Sequence, residues 1–220
     1  MKESYSALLK LPDIFISKLY LKLFREKNSL MIFNFHGFFR NEKEKTKELV
    51  DPQTWMTIDN FLEFVEYFLD KNYCFISPVD ILNGIKNDKK YIMISFDDGY
   101  YNNKYALKIL KKYNIPAVLF PSTDNIKQNK CFWWDVLYRE RIKSGLSLRN
   151  IVSEQNQLKT KTTEKIEKYI IENFSKKALK PKGDIDRPFT TFELRDFSKE
   201  KYIFLGNHTS NHAILTNYSS

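Results

Sequence analysis

Two short runs of this 220-residue chain carry residue types suited to chemistry: Ser95-Phe96-Asp97-Asp98-Gly99 and His208-Thr209-Ser210-Asn211-His212. The first places two carboxylates directly after the apolar run Tyr91 to Phe96, which has the length of a strand buried on both faces. Reactive groups sit at that end of the strands in parallel α/β barrels. Two like charges held together raise one pKa unless a cation or donor offsets them. A metal on one aspartate would leave the other ionised and able to act as a base. The same residues also suit an ordinary strand-to-helix turn, with Asp98-Gly99 as turn chemistry and Asp97 as a cap.

The second run spaces two imidazoles four residues apart. On a helix that spacing shares one face, within reach of one ion, although such pairs also arise by chance on surfaces. The chain has only 3 histidines. Two are in this run, directly after the apolar Tyr202 to Leu205, and the third, His36, ends the apolar run Leu30 to Phe35. Scatter driven by composition would not put all of them at strand ends. Two imidazoles and one carboxylate, with positions left open for water, suit zinc and equally iron or cobalt.

The elements that must hold these groups follow from periodicity. Strands are expected at Leu30–Phe35, Tyr73–Ile76, Tyr91–Phe96, Ile115–Phe120 and Tyr202–Leu205. Thr57 to Leu69 reads as a helix, because Phe61, Phe64, Val65 and Phe68 recur at three and four residues while Asp59, Glu63 and Glu66 face away. Further helices are expected after Pro78, at Tyr105–Tyr113 and at Thr191–Lys199, with a charged loop from Asn41 to Glu48. The alternation of strand and helix implies an α/β fold with parallel strands. From Ser122 to about Asp186 the rhythm changes, and this stretch reads as an insertion carrying two helices. Ahead of the first strand, Tyr5 to Phe24 has apolar positions at helical spacing, interrupted at Pro12. That suits a helix packed on the body, or a surface helix in peripheral contact with a membrane.

Composition narrows the function classes. An apolar share of 42%, with 3 Trp, 13 Tyr and 18 Phe, belongs to a packed globule rather than a disordered chain. Cys74 and Cys131 make no disulfide framework, which fits a reducing compartment. No secretory pattern opens the chain, and no stretch reaches the ~20 apolar residues that span a bilayer. The expected location is cytoplasmic, with the inner membrane surface as a variant. The net charge is +9, and eight lysines face three glutamates between Lys159 and Lys182. No nucleic-acid motif accompanies them, so solvated helices rather than a nucleic-acid face are expected.

Taken together, the motifs resemble the polysaccharide deacetylase family, which includes the chitooligosaccharide deacetylase of nodulation. The family's Thr/Ser-Phe-Asp-Asp-Gly stands here as Ser95 to Gly99, and its His-Ser/Thr-x-x-His as His208 to His212. Phe35-His36-Gly37 is similar to the family's Tyr-His-Gly strand end, and Lys112-Tyr-Asn-Ile-Pro116 to its Lys-Tyr-Gly-Ile-Pro. The likeness runs from about Leu30 to Leu215, apart from the insertion at about 122–190. It implies a distorted (β/α) barrel in a catalytic domain over 30–220, preceded by the helical segment 1–29.

The resemblance also implies roles: Asp97 as general base, and Asp98, His208 and His212 as ligands of a divalent metal, zinc first and Co2+, Fe2+ or Ni2+ as substitutes. His36 is expected behind the ligands, and Trp133 and Trp134 as a face for a sugar ring. The implied reaction removes acetyl groups from N-acetylated sugars of a polysaccharide or surface-glycan precursor. The pattern continues in the family with Arg-x-Pro, an Asp- and Trp-bearing segment, and a Leu-x-His whose histidine is the general acid. Eight residues follow His212 and hold none of these, and Arg187-Pro188 lies before the second motif. The five expected strands fall short of the family's seven or eight. The barrel is therefore expected to be incomplete and the domain C-terminally truncated. The alternative is a catalytically impaired remnant that binds metal or glycan, or a partner subunit.

Overall fold

The computed structural model describes residues 30–52, 55–86 and 89–218. The helix expected between Tyr5 and Phe24 lies outside the described residues. The fold is α/β: a parallel five-stranded sheet, curved but not closed, with helices around it. The central strand β5 (Lys90–Asp98) is paired along one edge by β1 (Leu30–Phe35), with Phe35 opposite Phe96. Its other edge is shared by β4 (Tyr73–Phe75), opposite Lys90–Ile92, and β6 (Ala117–Pro121), opposite Ile94–Asp98. β7 (Ile203–Leu205) adds to β6. A second, two-stranded sheet, β2 (Phe38–Phe39) with β3 (Met56–Thr57), is too short to be read from the sequence.

β5 is covered on both faces: Ile92, Ile94 and Phe96 on one are fully buried, and Tyr91 and Ser95 on the other nearly so. It runs two residues past the expected end, so that both aspartates still belong to the strand. The expected helix after β3 is α2 (Ile58–Asp70), capped by the Thr57 hydroxyl, which accepts from Asn60 N. It buries Phe61 and Val65 against the sheet, where Phe35 meets Phe61 and Phe38 meets Phe96 edge to face. The charged stretch at 41–48 is not all loop, for Glu42–Lys45 form one helical turn, α1. α3 (Pro78–Leu82) and α4 (Leu107–Tyr113) follow as expected, the latter preceded by a 3-10 segment at Tyr101–Ala106.

The insertion holds four α-helices rather than two. These are α5 (Thr123–Gln128), α6 (Trp133–Lys143), α7 (Leu148–Leu158) and α8 (Thr163–Phe174). Gly145, at φ +76°, separates α6 from α7. The last two are hard to see in sequence because each hides one narrow stripe, Ile151–Gln155–Leu158 and Ile166–Ile170, among polar residues. Of these, Leu158, Ile166 and Ile170 form a core of their own with Val136, Leu137 and Leu179. α9 (Thr191–Phe197), with a capping box between Thr190 and Glu193, leads back to β7. Among the described residues no helix is long and apolar enough to cross a membrane.

Candidate active site

The C-terminal ends of β1, β5, β6 and β7 lie along the same side of the sheet, as parallel pairing requires. At the end of β5, Asp98 takes φ +71°, a left-handed conformation that aspartate tolerates better than most residues. Gly99, at φ +86°, completes the turn, and a Cβ there would press on Pro121. The turn sends Asp98 inward, fully buried, and leaves Asp97 partly open.

The histidine run is not helical. Residues 206–214 form a loop in which Thr209 (φ +61°) and His212 (φ +54°) are both left-handed. The helical spacing argument therefore gave the wrong local structure, although the two rings do come together, with centroids 4.6 Å apart. Polar contacts hold the loop. Thr209 N donates to Asn207 Oδ1 at 2.7 Å, Ala213 N to Thr209 Oγ1 at 2.7 Å, and Asp124 N, from α5, to Ser210 O at 2.6 Å. Three non-glycine residues in left-handed backbone at one spot is strain held by its surroundings, a pattern that collects at functional sites.

Asp98 Oδ1 lies 3.6 Å from His208 Nε2 and 3.3 Å from His212 Nε2. One ligand-type atom from each of these three residues falls within 4.8 Å of the others. Neither Asp98 oxygen accepts a hydrogen bond, and a buried carboxylate in that condition is costly without a cation. The donor set, two imidazole nitrogens and a carboxylate converging on one point, is the kind that holds zinc with open positions. Burial works against a charged His212 ring, but the Asp98 carboxylate outweighs it and raises the pKa above the usual histidine value.

Asp97 stands beside this group, its Oδ2 at 4.0 Å from His208 Nε2. It accepts a 2.8 Å hydrogen bond from Asn34 Nδ2, and Asn34 Oδ1 in turn accepts from Ser95 Oγ at 3.2 Å. Asn34 was not singled out from the sequence. Its place, two residues before His36, follows from the β1–β5 register, which sets it opposite Ser95.

A cavity of about 160 Å³ opens beside the group, lined by Asp98 and His212 with His36, Trp134, Asp51, Gln155 and Lys159. His36 therefore reaches this site, with a buried Nδ1 that has no partner, while its carbonyl accepts from Asn103 Nδ2. Trp134 lies against His212, with ring centroids 4.7 Å apart. Trp133 instead packs on the insertion's own core. Arg187 is engaged elsewhere: it pairs with Asp184 and Glu193 and stacks 3.5 Å over Tyr101.

The family model described as polysaccharide deacetylase matches residues 84–220, which include both motifs. No curated protein sequence matches the chain. Among solved structures, a polysaccharide deacetylase from Bacillus cereus superposes at a TM-score of 0.52 and 14% identity, covering 88% of this chain and 43% of that one. A Bacillus anthracis protein gives the same figures. A Streptococcus pyogenes deacetylase solved with acetate gives 0.49 and 17%, over 88% of this chain and 61% of its own. The chain thus spans less than half the length of the two Bacillus proteins.

Proposed function

The chain belongs to the polysaccharide deacetylase family, and from that premise we propose that it takes part in hydrolysing acetyl groups from N-acetylated sugars with a divalent metal. Asp98, His208 and His212 would hold the ion. The observation that carries this reading is the Asp98 carboxylate, fully buried, without a hydrogen bond, and faced by both imidazoles. When bound, such an ion supplies Lewis acidity, polarising the acetyl carbonyl and lowering the pKa of water from ~15.7 toward ~7. Zinc suits the donor set first, with cobalt, iron or nickel as substitutes.

The chain's own residues then divide the work. Asp97 is the general base, and one of its oxygens receives the proton of the attacking water. Asn34, donating to Asp97 Oδ2, fixes the carboxylate's orientation and favours its ionised form. Trp134 offers a ring face to the sugar in the cavity beside His212, and Trp133 supports it from behind. His36 borders the same cavity and backs the ligands. The domain spans 30–220, with the insertion at about 122–190.

The test uses the chain stripped of metal and reloaded with zinc or cobalt, assayed for acetate release from N-acetylglucosamine oligomers. Release that needs the metal and disappears in Asp97→Asn is the expected result. Stoichiometric metal uptake with no release from any N-acetylated sugar would replace this reading with a metal- or glycan-binding subunit.

A further inference from the structure

The Trp134 ring of the insertion lies against His212 of the histidine loop, and a largely buried chain of hydrogen bonds stands behind it. Trp134 Nε1 donates to Tyr100 Oη at 2.8 Å. Tyr100 Oη donates to Asp135 Oδ2 at 2.6 Å. Asp51 N donates to Asp135 Oδ1 at 2.9 Å, and Gln155 Nε2 donates to Asp51 Oδ2 at 2.8 Å. The directions are fixed by chemistry. An indole N–H can only donate, so the tyrosine oxygen accepts there and its single proton is left for Asp135. Tyr100 and Asp135 are fully buried, and Asp51 and Gln155 nearly so.

A buried polar chain of this length is costly unless every member is satisfied, and when satisfied it fixes one arrangement. Its far end is the Trp134 ring. Phe132 stacks on that ring at 5.0 Å and 18°, and His212 leans on it at 4.7 Å and 58°. The His212 ring is thereby held between Trp134 and His208. Its own backbone, at φ +54°, is a strained conformation that persists only where the surroundings hold it. Tyr100 also ties the chain to the first motif, since it follows Gly99 directly.

We infer that Trp134, Tyr100 and Asp135 are positioning residues, through which the insertion sets the His212 ring for metal binding. This rests on the reading of His212 as a ligand. Groups behind a ligand commonly change metal affinity by about 10- to 100-fold when altered, and the effect here should lie near the lower end, because Asp98 also contacts the ring.

The experiment titrates cobalt into the full metal-free chain, reading affinity by chelator competition and geometry by the visible absorption of the bound ion. Tyr100→Phe removes one oxygen and is expected to weaken cobalt about tenfold and alter the absorption. In the metal-free protein the Trp134 indole N–H should be protected from solvent exchange, and that protection should be lost in the variant. Trp134→Phe, which keeps a ring beside His212 but deletes the donor, decides the matter if Tyr100→Phe does not fold. Arg141→Gln, which breaks the Arg141–Glu154 pair between α6 and α7, should lower stability without changing cobalt affinity. If it weakens cobalt equally, general loosening explains the effect and the inference fails. If the parent binds cobalt and both aromatic variants match it within twofold, the positioning role alone is refuted. If the parent binds no cobalt, the metal reading falls and this inference with it.

Discussion

Asp98→Asn separates a ligand from a structural residue, because the two roles predict different effects with and without metal. Without metal the substitution removes no hydrogen bond, since neither carboxylate oxygen accepts one. It removes only the contacts to His208 and His212, at 3.6 and 3.3 Å, made to side chains 31% and 29% exposed. Their loss is offset by relief of a buried carboxylate that has no hydrogen bond, so the change without metal should stay within about 1 kcal/mol, or roughly 2–4 °C in melting temperature for a chain of this size. With zinc at 100 times its dissociation constant, the parent should gain about 2.7 kcal/mol from binding to the folded state alone. That corresponds to a rise of roughly 5–11 °C. The variant should show almost none of that rise, because a neutral amide in place of the anion leaves two imidazoles to hold a divalent ion. Paired thermal melts, with and without zinc, measure both quantities on one instrument. A zinc-induced rise of the same size in Asp98→Asn, or in His212→Ala, would refute the shared-ion geometry.

Three further outcomes follow from particular contacts. Arg139 is fully buried, pairs with Asp186 at 2.5 Å and also donates to the Ala178 carbonyl. Arg139→Met should cost about 3 kcal/mol or more in urea unfolding, because Asp186 is left as a buried charge without its cation. Glu193 is held down to about 2, chiefly by hydrogen bonds from Arg187. A depressed carboxylate contributes stability that is present above its unfolded pKa and is lost as pH falls toward 2. Glu193→Gln should therefore cost on the order of 1 kcal/mol at pH 6, after allowance for solvent screening, and that deficit should shrink steadily in urea melts taken between pH 4.5 and 2.5. A Cβ at Gly206 would lie 2.2 Å from the Phe120 ring. The ring is only partly buried and can swing aside, so Gly206→Ala should cost about 1 kcal/mol in stability. Since Gly206 lies two residues ahead of His208, the same variant should lower zinc affinity in a chelator competition.

What the sequence revealed of this site, and what it hid, follows from the range of the interactions involved. The strand ends were legible because burial on both faces leaves a run of apolar residues, and Tyr91 on one face with Ile92, Ile94 and Phe96 on the other obey that rule. The approach of Asp98 to His208 and His212 was legible only through motif order, since 109 positions separate Asp98 from the nearer histidine. The helical argument offered for the histidine pair failed because left-handed backbone at Thr209 and His212 leaves no mark in composition. Both are residue types that prefer right-handed or extended backbone elsewhere.

The residues that were missed share a different cause. Asn34, Asp51, Tyr100 and Gln155 take their roles from partners 35 to 104 positions away, and no local pattern distinguishes them from other polar residues. The insertion shows how that matters for function. Its lysine-rich surface, with eight lysines against three glutamates from Lys159 to Lys182, reads as solvated helix. The face it turns inward carries Trp134 and Asp135 to Tyr100, next to the first motif, Trp134 to His212, and Gln155 to Asp51. A segment that interrupts the strand–helix rhythm would ordinarily be set aside as decoration on the barrel. Here its buried hydrogen bonds fix the Trp134 ring against His212, so the insertion forms part of the wall of the candidate site.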